Sequence, residues 1–182
     1  MVDPTDKLPS VRLGEDQRTL ALLGVVGRSR EAGRRPLIRS FPDERLQALL
    51  ATLCPGNRFA AADGLWTPDD DGDEFVDLLD LLLEHLALPD ESGICLCHAI
   101  ATAAMGANHL WQDMGLPDRK ALSDLLCANF PVLAAKNVGD MKWKKFFYRQ
   151  LCERAGVPIC KAPHCAECCD RALCFDSEED SG

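Results

Sequence analysis

The sequence predicts an all-α fold: a single helical domain with a cysteine-rich C-terminal metal-binding loop and flexible ends. Three observations carry that expectation. Leucine-rich stretches repeat at helical spacing, and almost no segment alternates apolar and polar residues as a half-buried strand must. Five of the ten cysteines crowd between Cys160 and Cys174. With 182 residues, 47% of them hydrophobic, the chain can bury one sizeable core and need not divide into two domains. The expected organisation is a loosely ordered arm over residues 1–40, a helical body over 41–156, the cysteine-rich loop over 157–175 and a disordered acidic tail over 176–182.

The arm mixes charge, glycine and proline around a short patch from Leu20 to Leu23, enough for a helical turn or two. Its basic run, Arg28, Arg30, Arg34, Arg35 and Arg39, could dock an acidic partner or an anion, but reads as a solvated flank and is assigned no function. From Pro42 the pattern becomes helical through Leu46, Leu49, Leu50 and Leu53, with Pro55-Gly56 as a stop. Asp69-Asp70-Asp71 suits the N-terminus of the next helix, and no glutamate closes a calcium loop after it. In that helix Asp73, Asp77, Asp80 and Glu84 form one polar stripe on a leucine-rich cylinder expected to be core on nearly every other face. An alanine-rich helix follows from about Glu91 to Met105, and Asn108 can cap a turn from His109 to Met114. Pro117 is expected at the first position of a helix that runs through Leu122, Leu125 and Leu126 and ends before Pro131. The last long helix is expected from about Asp140 to Arg154.

A net charge of −9 would repel phosphate backbones, which argues against a nucleic-acid partner. The first 25 residues carry Asp3, Asp6, Lys7, Glu15 and Asp16 and no continuous apolar stretch, so export is not expected. The most apolar segment, Phe75 to Leu88, is broken by Asp77, Asp80 and Glu84, so no membrane span is expected and the location should be cytoplasmic. Ten cysteines in such a chain read as reduced thiols, with metal or redox chemistry as the first suspicion. Cys54, Cys95, Cys97, Cys127 and Cys152 are scattered, as buried small hydrophobes usually are.

The strongest chemical feature is Cys160-Lys-Ala-Pro-His-Cys165-Ala-Glu-Cys168-Cys169-Asp-Arg-Ala-Leu-Cys174, in which Cys160, Cys165, Cys168 and Cys174 are separated by four, two and five residues. Four thiols so close in sequence can converge on one centre. Pro158 and Pro163 discourage helix and leave backbone N–H groups able to hydrogen-bond cluster sulfurs. Cys168 completes the two-residue spacing, whereas Cys169 could substitute for it, serve a second metal or be a spare thiol. Spacing alone does not separate an iron–sulfur or mixed-metal cluster from a structural zinc site, in which His164 could replace a cysteine. A zinc-stapled protein-interaction adaptor is therefore the competing reading. A dithiol redox enzyme built on Cys165 and Cys168 would want a βαβ scaffold that the sequence does not offer. Just before the loop, Lys142, Lys145 and Arg149 share one helix face opposite a stripe of Trp143, Phe147 and Leu151. Such a face could offset cluster charge or attract an oxyanion such as molybdate, or be solvated. His98, three residues after Cys95, and His109 are possible accessory ligands, with core or capping roles preferred.

Three blocks, His109-Leu-Trp-Gln-Asp-Met-Gly-Leu, Met141-Lys-Trp-Lys-Lys-Phe-Phe-Tyr-Arg-Gln-Leu-Cys-Glu and the cysteine loop ending Cys174-Phe175, together resemble the nitrogen-fixation NifQ family. The resemblance covers roughly residues 90–175; the first 70 carry little of it. It implies a soluble carrier, not an enzyme, that holds molybdenum within an iron–sulfur cluster and supplies it for the iron–molybdenum cofactor (FeMo-co) of nitrogenase. The family's cysteine motif maps onto Cys160, Cys165, Cys168 and Cys174 without departure. Implied partners are the nitrogenase cofactor-assembly scaffold, the nitrogenase iron protein, and molybdate or another molybdenum donor.

Overall fold

The computed structural model describes residues 17–56 and 72–156. These residues form eight helices and no strand: α1 (Gln17–Glu31), α2 (Asp43–Leu53), α3 (Asp73–His85), α4 (Glu91–Ala104), α5 (Leu110–Asp113), α6 (Arg119–Asn129), α7 (Pro131–Ala134) and α8 (Trp143–Ala155). The predicted all-α architecture is present. The segments 1–16, 57–71 and 157–182, which include Asp69 to Asp71, the cysteine loop and the acidic tail, lie outside the described residues.

Helix α4 is the centre of the core. Cys95, Leu96, Cys97, Ala99, Ile100, Ala101, Ala103 and Ala104 are all buried, and the helix packs against α1, α2, α3 and α5. Its small side chains let four neighbours approach on different faces at once. Asp90 starts it, accepting a 2.7 Å hydrogen bond from the Gly93 N–H, as an N-cap aspartate does for an otherwise unpartnered donor.

The largest correction to the sequence reading is at the N-terminal side. Residues 17–31, expected in a loosely ordered arm, form α1, a full core helix. Ala21, Leu22, Val25 and Val26 recur with helical period and are buried against α4. Burying Leu22, Val25 and Val26 contributes about 5 kcal/mol at ordinary transfer values. The connection to α2 is also packed, with Leu37, Ile38 and Phe41 buried and the Arg39 N–H donating to Thr102 Oγ1 at 3.0 Å. The body therefore begins at Gln17, not at residue 41. Nor is the arginine run simply a solvated flank: Arg28 donates to the Gln112 carbonyl at 3.2 Å, Arg35 lies 3.8 Å from Asp43, and the Arg39 guanidinium sits over the Phe75 ring.

A polar bracket holds α1 to the neighbouring helices. Arg18 reaches Asn129 Oδ1 with Nε, and Asp90 and Ser92 with Nη1 at 2.8 and 2.9 Å. The buried Asn129 amide in turn donates to the Leu125 carbonyl at 2.8 Å. A second link is backbone against backbone: a Cβ on Gly115, whose φ is +64°, would stand 2.8 Å from the Gly24 Cα. Only glycine satisfies both the left-handed turn and that approach.

Helix α3 buries Phe75, Leu78, Leu81 and Leu82, while Asp73, Asp80 and Glu84 are exposed. It is not core on nearly every other face, for Val76 is 44% and Leu83 37% exposed. Boundaries elsewhere shift for identifiable reasons. His109, not Asn108, precedes α5, and its N–H donates to Gln112 Oε1 at 3.1 Å. Asp118, which accepts from the Ala121 N–H at 2.8 Å, starts α6, so Pro117 lies outside the helix and it is Pro131, opening α7, that takes a first helical position. Helix α8 begins three residues later than expected because Asp140 adopts φ 47° and Asn137 clamps Met141 with two hydrogen bonds of 2.9 and 3.0 Å. Among the described residues no helix is long and apolar enough to cross a membrane.

Candidate metal centre

The four expected ligands Cys160, Cys165, Cys168 and Cys174, together with Cys169 and His164, lie outside the described residues. What the structure does describe is the helix from which that segment departs. Trp143, Phe146, Phe147, Tyr148, Leu151 and Cys152 are buried along α8, so the apolar stripe read from the sequence is correct and wider than expected. The helix packs on α3, where Arg154 pairs with Glu84 at 2.8 Å, and ends at Gly156 in the left-handed conformation, φ 65°.

The cationic face is narrower than the sequence suggests. Lys142 stands before the first helical residue with extended dihedrals, off the helical wheel. Lys145 is half-buried, and Arg149 is exposed and pairs with Glu153 at 3.0 Å. The lysine that helical periodicity passed over is the one most tightly held. Lys144 Nζ donates to the Gly106 carbonyl at 2.8 Å, the Asn108 carbonyl at 2.6 Å and Asp113 Oδ2 at 2.6 Å. Asp113 also accepts from the Asn108 N–H and side-chain amide, at 3.1 and 2.9 Å. Burial lowers the Lys144 pKa, and the Asp113 carboxylate partly offsets that by favouring the ammonium. This contact joins the His109 block to the Met141 block. Its partners are mostly backbone carbonyls, which leave no mark on a sequence.

The accessory candidates fall into structural places. His98 on α4 is half-buried, with its ring edge-on to Phe41 and Nδ1 at 3.1 Å from the Arg39 carbonyl. A carbonyl can only accept, so Nδ1 carries the hydrogen. His109 is exposed at the start of α5. Cys95 and Cys97 are 0% exposed, and burial pushes both thiols up to about 12. As neutral thiols they are poor metal ligands, since it is the thiolate that binds. Cys152 is buried, Cys54 half-buried and Cys127 exposed. Among the described residues no three His, Cys, Asp or Glu side chains gather as a metal site would require.

Comparison with known proteins extends beyond the described residues. The NifQ family model matches residues 22–176, from the middle of α1 through the whole cysteine loop. Protein NifQ of Azotobacter vinelandii is 43% identical over 106 residues, 58% of this chain and 54% of that protein. The NifQ homolog of Sinorhizobium fredii is 44% identical over 108 residues, 59% of this chain and 47% of its own, and Protein NifQ of Klebsiella pneumoniae is 45% identical over 82 residues, 44% and 49% of the two chains. The chain thus spans about half the length of the curated relatives it matches. No solved structure matches. Because one family's pattern runs through the core helices, the Lys144 contact and the cysteine loop without a break, the chain belongs to the NifQ family.

Proposed function

We propose that this chain carries molybdenum on an iron–sulfur centre held by Cys160, Cys165, Cys168 and Cys174, and delivers it for synthesis of the iron–molybdenum cofactor of nitrogenase. The observation that carries the reading is the family match, which extends to residue 176 and so takes in all four cysteines. The donor set fits the cargo. Soft thiolates retain iron–sulfur clusters and can support a heterometal, whereas an all-oxygen site would not. The described cysteines supply no competing centre, because Cys95 and Cys97 are held as neutral thiols inside α4. The chain's own work is then to hold, shield and release the cargo in the cytoplasm, handing it to the cofactor-assembly scaffold and the iron protein, with molybdate or another donor supplying the metal.

The test is metal analysis with visible and EPR spectra on anaerobically purified protein, comparing wild type with Cys165→Ala/Cys168→Ala. Iron, acid-labile sulfide and molybdenum that vanish in the double variant establish the carrier. Stoichiometric zinc in a colourless wild type that still supports nitrogenase assembly overturns it and leaves an adaptor.

A further inference from the structure

We infer that Lys144 is a positioning residue for the metal loop: its ammonium, caged by Gly106, Asn108 and Asp113, fixes the setting of α8 from the end opposite the cysteines. The inference rests on the carrier reading above and adds to it a residue outside the cysteine motif.

Most of what holds α8 in place is apolar side-chain burial, which is strong but non-directional and tolerates small rotations and slides. Direction comes from its first turn. Trp143 Nε1 donates to Ser123 Oγ of α6 at 2.9 Å, while the adjacent Lys144 points about 100° away around the helix, into the turn between α4 and α5. Two short directional contacts, to two different neighbours, fix both rotation and axial position.

The cage is built for an ammonium. Three oxygens surround Nζ at 2.6 to 2.8 Å, and the carboxylate among them is itself oriented by the two Asn108 donors. Gly106 has no room for a side chain, since a Cβ would lie 2.5 Å from Asp113 Oδ2. The leverage is geometric. Over the roughly 18 Å length of α8, a tilt of about 5° at the first turn moves the last by about 1.5 Å. A bound centre needs its supports held within about 0.5 Å. The chain leaves α8 at Gly156, four residues before Cys160, so error at the lysine is delivered to the start of the loop.

The experiment uses the full chain with Lys144→Ala, which removes all of the side chain beyond Cβ. The missing piece is propylammonium, added as a free salt. In metal-free protein, propylammonium is expected to raise the thermal midpoint of the variant and not that of wild type. In anaerobically loaded protein, the variant should give a broadened EPR signature and lose metal to a chelator about tenfold faster, the lower range for loss of an orienting contact at a metal site, and propylammonium should restore both. Lys144→Met/Asp113→Leu, which replaces the pair by apolar side chains, gives the same spectrum without an unpaired buried carboxylate and serves if the single variant does not fold. A loaded variant with wild-type EPR line shape and release rate overturns the inference and leaves the carrier reading intact. A wild type that binds no cluster overturns the carrier reading instead.

Discussion

Replacing Cys95 and Cys97 with alanine should flatten the alkaline limb of the stability profile. Each thiol titrates near 9.0 when exposed in the unfolded chain and near 12 in the folded one, with burial as the first cause at both. The folded state therefore binds more protons than the unfolded state across this window, and stability falls as pH rises through it. At pH 10 an exposed thiol with that ordinary value has released about nine-tenths of its proton while the buried one has not, a loss of about 1.4 kcal/mol per thiol relative to pH 8. Both side chains are fully buried, so no solvent discount applies, and the pair should lose about 3 kcal/mol over those two pH units. Urea denaturation of wild type and Cys95→Ala/Cys97→Ala at pH 8 and pH 10 reads the difference, in which all other titrating groups cancel. The alanine chain will be less stable at pH 8 because of the volume lost, but its fall with pH should be smaller by that amount. Equal falls in the two proteins would mean that the thiols ionise in the folded state, and the argument that they cannot serve as ligands would collapse.

Gly115→Ala should cost about 3 kcal/mol, combining the left-handed φ with a backbone clash against Gly24; a midpoint within error of wild type would show that the turn relaxes easily. Arg18→Ala should cost about 2 kcal/mol by stripping Asn129 and Asp90 of their shared donor, read as a shift in urea midpoint at unchanged slope. A centre closed by four cysteines must open one position to release its cargo, and Cys160 and Cys174 at the ends of the motif are the expected labile positions. Cys160→Ser and Cys174→Ser should impair molybdenum transfer in a cofactor-assembly assay, and intact transfer in both, with loss at Cys165→Ser and Cys168→Ser, would reject that assignment.

Much of the body is legible because leucines repeat strongly in α2, α3 and α6, and because Asp90 and Asp118 are side chains suited to starting a helix. Helix α1 is harder to read. Gly24 and Gly27 are poor helix formers, and Arg28 and Arg30 dilute its apolar pattern, although they suit the negative end of the helix dipole. The start of α8 was misplaced because Asp140 occupies a left-handed conformation stabilised by its neighbours, which residue type alone does not announce. The metal loop is legible for a different reason: ligand chemistry depends on residue identity and spacing, both of which are written in the sequence. Lys144 shows the converse, since a helical wheel sends lysines to solvent and cannot display carbonyl acceptors forty residues earlier.

The burial of α1 bears on how the chain can be divided. Cut at residue 41, it would keep every cysteine and both sequence blocks of the metal-bearing half, yet strip one face of α4 and leave Gly115 facing nothing. The metal-bearing half is thus not a transplantable module. A fusion or minimal version intended to move this chemistry into another host protein has to bring the first helix along, although that helix contains no residue of the motif.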